Sequence, residues 1–172
     1  MTESKMKFYT ITDDYINFLR KVDRTLLNNT YESRQRPYVG IIMTFGVHQY
    51  FAPLSSYKAK YDRVRNHTIH KVYGKDETEK LAVIKLNCMF PIIQTEIKEM
   101  DFSKEESKYK DLLEKEYSYV ISTQEEIERK ARKLYKDVTK GNPFYSKISS
   151  DFSLLEQEYV KFNKWFSLEG QV

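Results

Sequence analysis

The sequence predicts an α+β fold, in which a small and strongly bent antiparallel sheet has helices packed around it. Two apolar runs, Tyr38–Phe45 and residues 47–54, flank the single glycine Gly46 and are typical of a buried β-hairpin. From residue 103 onward, apolar residues recur at the spacing of a helix face. With 172 residues, 40% of them apolar, we expect one domain spanning residues 1–172.

A short strand and an amphipathic helix are predicted near the start of the chain. Lys7–Ile11 is the strand, and Thr12 stands where a helix N-cap belongs, because two aspartates follow it in the first turn, where the helix dipole favours carboxylates. Four apolar side chains then recur at i, i+3, i+4 and i+7: Tyr15, Phe18, Leu19 and Val22. This spacing indicates a helix that packs one face on a core.

Residues 28–37 are polar and without a period, which predicts a loop. The loop carries Tyr31, Arg34 and Arg36. Pro37 restricts Arg36 to an extended conformation just before the first hairpin strand. We therefore expect one aromatic and two cationic side chains beside the hairpin.

The hairpin is followed by a basic segment and two more strands. Gly46 allows the backbone angles of a tight turn, and Pro53 indicates that the strand ladder is ending, because proline has no N–H to donate. Residues 57–70 are basic and weakly periodic, so they are predicted to be either a short helix or an irregular excursion. Residues 81–86 and 89–93 are predicted strands.

The C-terminal part is predicted to be helical. One face is formed by Leu112, Leu113, Glu116, Val120, Ile127, Ala131, Leu134 and Val138. The pattern fits one long helix or two helices joined near residues 122–123, and residues 141–143 (Gly-Asn-Pro) end it. A last helix is predicted over residues 152–166.

Positive charge is concentrated in residues 20–75. This segment has eleven Lys and Arg residues against three acids, a net charge of +8, whereas the whole chain carries +4. Such an uneven distribution is typical of a surface that binds a polyanion. An ordinary solvated, charged surface is the alternative that composition leaves open.

Several kinds of site are absent from the sequence. There is no GxGxxG, P-loop, HExxH, paired-cysteine or GxSxG motif, so we expect no cofactor. His67 and His70, with Asp62 nearby, have a spacing that fits two metal ligands, but two surface histidines are the favoured interpretation because further ligands are not evident. His48 lies within the return strand and is interpreted as structural.

The remaining features are those of a cytoplasmic protein. The single cysteine, Cys88, cannot form an internal disulfide and is interpreted as a small buried hydrophobe. The first residues lack the hydrophobic region of a signal peptide. No apolar run approaches the roughly 18 residues that a membrane span needs, so we expect no membrane association.

The end of the return strand groups two hydroxyls with an amine. If the strand continues, Ser56 and Lys58 point to the same face, because strand side chains alternate with period two. A hydroxyl beside an ammonium group can be activated, or can orient a phosphate that the ammonium neutralises. The alternative is that Ser55 or Ser56 caps a helix beginning at Tyr57, although Lys58 and Lys60 would then lie at the unfavourable, positive end.

Six fragments, spread in order over nearly the full chain, carry a family resemblance. They are KFYTITDDYINFLRKVD, RPYVGI, YFAPLSSYK, MFPII, YKDVTKGNPF and DFSLLEQEY. Together they resemble the ToxN/AbiQ family of type III toxin–antitoxin (abortive-infection) endoribonucleases. The resemblance implies a compact barrel-like sheet similar to the MazF/Kid toxin fold. It also implies sequence-selective, metal-independent cleavage of cellular or phage mRNA that leaves 2′,3′-cyclic phosphate and 5′-OH ends.

The same resemblance implies the partner and the site. The inhibitor is a small repeat-derived RNA antitoxin, expected to be a pseudoknot, which the toxin processes itself and with which we expect a cyclic toxin–RNA hetero-oligomer. The family's Thr/Ser-Ser pair after APL falls on Ser55 and Ser56, and its nearby lysine on Lys58. Its loop tyrosine falls on Tyr31, and its basic residue before the strand falls on Arg36. These five residues are the predicted catalytic residues.

Neighbouring side chains are predicted to bind RNA: Arg34, Lys60, Arg63, Arg65 and Tyr57. Arg34 is also an alternative to Arg36, because aligning the loop requires one inserted residue. Cyclising cleavage needs a deprotonated ribose 2′-OH, stabilised phosphorane charge and a protonated 5′-oxygen, and the sequence identifies no general base. A non-catalytic RNA-binding module that uses the same basic face is the alternative function.

Overall fold

The computed structural model describes residues 4–31 and 33–163, without the side chain of Tyr31. Its strands are β1 Lys7–Ile11, β2 Thr30–Tyr31, β3 Arg34–Gln35, β4 Tyr38–Phe45, β5 His48–Ser56, β6 Ile69–Tyr73, β7 Lys80–Lys85, β8 Phe90–Pro91 and β9 Ile97–Glu99. Its α-helices are α1 Asp13–Val22, α2 Ser107–Ser122, α3 Gln124–Thr139, α4 Pro143–Ile148 and α5 Phe152–Glu158. The α+β prediction is confirmed.

Seven of the strands form one antiparallel sheet. The strand order is β6-β7-β5-β4-β1-β9, with β8 pairing with β5 beside this path. The strands at the two ends of the path, β6 and β9, do not pair with each other in the described part of the chain, so the sheet is open. The barrel-like closure that the family resemblance implied is therefore not confirmed.

The β4–β5 hairpin is the centre of this sheet, and both of its faces are covered. Tyr50, Ala52 and Leu54 belong to a core cluster with α2 and α3, whereas Phe51 packs in a second cluster with α1 and α5. Because consecutive strand residues point to opposite faces, a strand that is covered on both faces needs an uninterrupted apolar run. This is the run from which the sequence predicted the hairpin. Gly46 has a φ of 59° and forms the turn.

The predicted N-terminal strand and helix are confirmed. The predictions for the segments on either side of the hairpin are only partly confirmed. β1 has its predicted bounds, and the Thr12 hydroxyl accepts a hydrogen bond from the Tyr15 N–H at the start of α1. The predicted loop 28–37 instead contains the two-stranded ribbon β2–β3. Residues 57–70 contain the 3-10 helix Ala59–Arg63, but β6 begins before the segment ends. β6 and β9 were not predicted, because a short edge strand leaves a weak sequence pattern.

In the C-terminal part, the two-helix alternative is confirmed. α2 ends and α3 begins at Thr123, whose hydroxyl donates to the Tyr119 carbonyl oxygen and lies 2.9 Å from His70 Nε2. The last predicted helix, residues 152–166, begins correctly with α5, but α5 ends at Glu158 and a 3-10 helix, Tyr159–Lys161, follows it. Residues 164–166 of the prediction lie outside the described residues. In the ranges that the structure describes, no helix combines the length and the apolar character needed to cross a bilayer.

Candidate functional site

A cavity of about 240 Å³ lies where the end of β5 meets the ribbon β2–β3 and the helix α2. It is lined by Arg34, Gln35, Pro37, Leu54, Ser55, Ser56, Tyr109, Leu112 and Glu116. Ser55 and Ser56 pair in register with Val83 and Ala82 of β7, which holds the end of β5 in place. A larger depression of about 600 Å³ runs along α3, but charged side chains of that single helix line it.

Ser55 is fixed by Arg36. Arg36 Nη1 donates to Ser55 Oγ at 2.7 Å and to the Leu54 carbonyl oxygen at 3.1 Å, while Nε donates to the Asn28 carbonyl oxygen at 2.9 Å. Arg36 is 5% exposed and Ser55 is 9% exposed. The guanidinium is therefore bound within the fold, where it orients the serine hydroxyl, and Arg34, which is exposed, is the arginine that lines the cavity.

These environments predict different effects of the two arginines on stability. Arg36→Ala is expected to lower the free energy of unfolding by about 3 kcal/mol, because three buried or half-buried oxygens lose a charged donor. Arg34→Ala is expected to cost less than about 1 kcal/mol, since it removes one exposed cation–π contact. Chemical denaturation of both variants measures this, and equal losses would contradict the assignment of Arg36 as the buried partner of Ser55.

Ser56 and Lys58 are more open than Ser55. Ser56 is exposed and lines the cavity, whereas Lys58, two residues further along the chain, is exposed but does not line the cavity. Lys58 has extended backbone angles (φ −130°, ψ 150°), and the Tyr57 N–H donates to the Leu81 carbonyl oxygen at 3.2 Å, so the chain stays extended past Ser56. The helix-cap alternative is wrong. The short helix begins at Ala59, its N-cap residue is Lys58, and no side chain caps it.

The helix side of the cavity is formed by residues that the sequence did not assign to the site. Tyr109, Leu112 and Glu116 lie three to seven residues apart on α2 and so share one face. The Arg34 guanidinium lies 4.0 Å from the centroid of the Tyr109 ring, so β3 and α2 are in contact at the cavity. The pKa of Tyr109 is raised to about 12, mainly by burial and to a smaller extent by the negative charge of Glu116. Burial alone raises the pKa of Glu116 to about 8.

One sequence signal pointed to Glu116. It stands within the apolar face that predicted the helix, and an acid at a core position is rarely buried unless it has a partner or a role. Asn29 was also missed. Its side-chain amide donates to the Ile11 carbonyl oxygen at 2.9 Å and to Asp13 at 2.7 Å, and its oxygen accepts from the Tyr38 hydroxyl at 2.9 Å. Asn29 therefore anchors the base of the ribbon that carries the loop residues.

Of the residues predicted to bind RNA, Arg34 lines this cavity, and the other four do not. The Tyr57 hydroxyl donates to Asp62 at 2.6 Å, and Lys80 pairs with the same carboxylate at 2.9 Å. Burial and this hydrogen bond raise the pKa of Tyr57. Lys60 lies 5.3 Å from the centroid of the Tyr61 ring. Arg63 and Arg65 are exposed, as is Lys60, so three predicted cations of this segment face solvent.

Tyr31 is placed only by its backbone, which pairs with Arg34 in the ribbon β2–β3. Its side chain lies outside the described part of the structure. The catalytic role predicted for Tyr31 therefore stays a prediction.

The histidines are not gathered at one place. His67 Nε2 lies 2.8 Å from Asp137, whereas His70 is buried between Thr123 and Lys130, so the interpretation of two surface histidines is wrong for His70. His48 Nδ1 lies 2.8 Å from the Tyr159 hydroxyl, a structural contact. Among residues 4–31 and 33–163, no three His, Cys, Asp or Glu side chains come together in a group that could hold a metal ion.

Comparison with known proteins identifies the family. A model of the family described as Toxin ToxN, type III toxin–antitoxin system, matches residues 7–160. The chain belongs to the ToxN family. Endoribonuclease ToxN of Bacillus thuringiensis subsp. kurstaki is 31% identical to this ToxN family member over 167 residues, which cover 92% of this chain and 84% of that protein. Endoribonuclease AbiQ of Lactococcus lactis subsp. lactis is 28% identical, over 92% of this chain and 90% of that protein.

Solved structures of ToxN family members have the same fold. AbiQ, described as a lactococcal anti-phage endoribonuclease belonging to the type III toxin–antitoxin system, superposes with a TM-score of 0.83 at 27% identity, over 94% of this chain and 99% of that chain. A type III toxin described as selectively inhibited by a non-coding RNA pseudoknot gives a TM-score of 0.81 at 31% identity, over 93% and 99%. The family prediction from the sequence fragments is confirmed.

Proposed function

We propose that this protein is the endoribonuclease toxin of a type III toxin–antitoxin system. It cleaves RNA by transesterification, leaving a 2′,3′-cyclic phosphate and a 5′-OH, in the cavity at the end of β5. The observation that supports this most directly is the exposed Ser56 beside the arginine-bound Ser55, in a cavity that also contains Arg34. Relatives that are 28–31% identical over most of the chain are endoribonucleases.

The roles follow from exposure and charge. Ser56 and Ser55 bind the scissile phosphate. The hydroxyl of Ser56 makes the main contact, because Ser56 is exposed and Ser55 is buried. Lys58 and Arg34 stabilise the negative charge that develops on the phosphorane, and Arg36 contributes through the hydroxyl that it orients. Removing one such stabiliser from an enzyme typically costs about 10²–10³ in rate. Tyr31 stacks on a base or donates a proton.

The test is the chemistry of the product. Purified protein incubated with total RNA in the presence of EDTA is expected to give fragments that end in a 2′,3′-cyclic phosphate and begin with a 5′-OH. Labelling with polynucleotide kinase, with and without its phosphatase activity, identifies both ends. Loss of cleavage in EDTA would contradict metal independence. Intact RNA that still binds the protein would favour the alternative, a non-catalytic RNA-binding module.

The partner that fits the basic segment 20–75 is RNA. The basic segment 20–75, with the exposed Lys60, Arg63 and Arg65, suits the phosphates of a small RNA antitoxin with a pseudoknot fold, which the toxin cuts from a repeat array. If each end of an RNA unit binds a different toxin molecule, and each toxin molecule has two contact surfaces for RNA, alternating toxin and RNA units would close into a ring. Cellular or phage mRNA is the substrate of the free toxin, and the site of action is the cytoplasm. A relationship to the MazF/Kid fold stays a prediction.

A further inference from the structure

An acidic side chain lies in the apolar face of α2 beside the two serines. Glu116 is 5% exposed, and Leu113 and Val120, three residues before it and four after it, are fully buried. Residues at these spacings share one face of a helix, so the carboxyl occupies a position where an apolar side chain would pack. At the same time, it lines the cavity with Ser55 and Ser56.

Among the residues that the structure describes, no partner compensates for the burial of this carboxyl. Within the described ranges, the Glu116 side chain forms no hydrogen bond and no ion pair. The other titratable or charged side chains that line this cavity are Tyr109 on α2 and Arg34 on β3, and Arg36 donates to Ser55 in its wall. Burial raises the pKa of Glu116 to about 8. A leucine would fill this position without the desolvation cost of a carboxyl, so packing alone does not account for a glutamate.

We propose that Glu116 is the general acid of the cleavage reaction and donates its proton to the departing 5′-oxygen. This inference rests on the proposed function and adds to it a residue from outside the hairpin. At neutral pH the carboxyl is protonated in most molecules, and a general acid must be protonated to donate. Glu116 comes from α2 and Ser56 from the end of β5, and both line the same cavity, so a phosphate held by Ser56 in this cavity would lie near both side chains.

The proton balance of the step is complete. The ribose 2′-oxygen loses its proton to solvent water and forms a bond to phosphorus, and the bond between phosphorus and the 5′-oxygen breaks. The electron pair of the broken bond stays on the 5′-oxygen, which takes the Glu116 proton and leaves as a 5′-OH. The Glu116 carboxylate then recovers a proton from water. No oxidant, reductant or further reactant is needed.

The test uses a substrate whose leaving group needs no acid. An RNA oligomer containing a site that the wild-type protein cuts is made in two forms, one with the natural 5′-oxygen and one with a bridging 5′-sulfur. Glu116→Gln is expected to slow cleavage of the oxygen form by about 10²–10³-fold, within the usual range for general acid catalysis. Cleavage of the sulfur form by the same variant should stay within about tenfold of wild type, because a thiolate leaves unprotonated.

A matched control is available on the same helix. Glu114 is exposed, and Glu114→Gln is expected to change neither rate. Equal slowing of both substrates by Glu116→Gln would overturn the general-acid role, and so would a loss smaller than about threefold on the oxygen form. These outcomes leave the endoribonuclease assignment intact, because the wild-type products establish it separately. RNA that stays intact with wild-type protein would overturn both.

Thermal unfolding in the absence of RNA tests the burial of the carboxyl. The pKa of Glu116 is higher in the folded protein, about 8, than its ordinary value of 4.5, so its contribution to stability is greatest below pH 4.5 and falls as the pH rises to about 8. The glutamine side chain of Glu116→Gln does not titrate, so the variant does not lose stability in this way. The melting temperature of the variant minus that of wild type should therefore increase between pH 4.5 and 8 and stay constant above. A difference that does not change with pH would show that the carboxyl is solvated.

Discussion

Replacing Ser56 with alanine is expected to lower RNA cleavage by roughly 10²–10³-fold or more and to abolish growth arrest, with no change in melting temperature. The reason is the contrast between the two serines. Ser56 is exposed and contributes its hydroxyl to the open cavity, so its removal deletes a phosphate contact without leaving a buried atom unpaired. Initial rates on a defined RNA, with unfolding monitored by circular dichroism, measure both quantities.

The neighbouring serine should behave differently. Ser55→Ala removes the acceptor of the 2.7 Å bond from Arg36, so we expect a loss of stability together with a loss of activity. Ser118, exposed on α2, provides the control, and Ser118→Ala should leave both unchanged. If Ser56→Ala still arrests growth at wild-type expression, the cavity at the end of β5 is not where RNA is cut.

Binding of the antitoxin RNA is expected to weaken by about 10³ or more between 50 and 200 mM salt. The physical reason is counterion release, since each phosphate that a Lys or Arg neutralises releases condensed cations, and six or more contacts give a slope of this size. The basic segment 20–75 has a net charge of +8, and Lys58, Lys60, Arg63 and Arg65 are exposed within it. Affinities measured by filter binding across this salt range, with Ser56→Ala to prevent cleavage, give the slope.

Single substitutions then locate the RNA. Lys60→Ala and Arg63→Ala should each reduce the salt slope by about one, as the loss of one phosphate contact requires. Lys98, exposed on β9 at the far end of the sheet order, is the control, and Lys98→Ala should leave the slope unchanged. We expect the cleaved end of the RNA at Ser56, so the RNA inhibits the toxin as a bound product. Binding that hardly responded to salt, or a complex that left Ser56 open, would contradict this.

The sequence by itself determined the elements whose signal is local. The β4–β5 hairpin is covered on both faces and therefore needs two continuous apolar runs with a turn residue between them. Such a pattern is visible in the sequence without any knowledge of tertiary contacts. The helix after β1 has its cap, its acidic first turn and its apolar stripe within the eleven residues 12–22. Ser55 and Ser56 are the last two residues of β5 and Lys58 lies two residues beyond it, so their positions depended only on where that strand ended.

Only the tertiary structure decided which residues meet at that strand end. Arg34 and Arg36 are two residues apart and chemically identical, and burial against Ser55 alone separates the buried arginine from the exposed one. Glu116 lies 60 residues from Ser56, and no local pattern encodes that distance. The edge strands β6 and β9 are similar cases, because their partners fix them. A local pattern reports how a segment fills its own face, whereas a site depends on long-range packing that brings separate faces together.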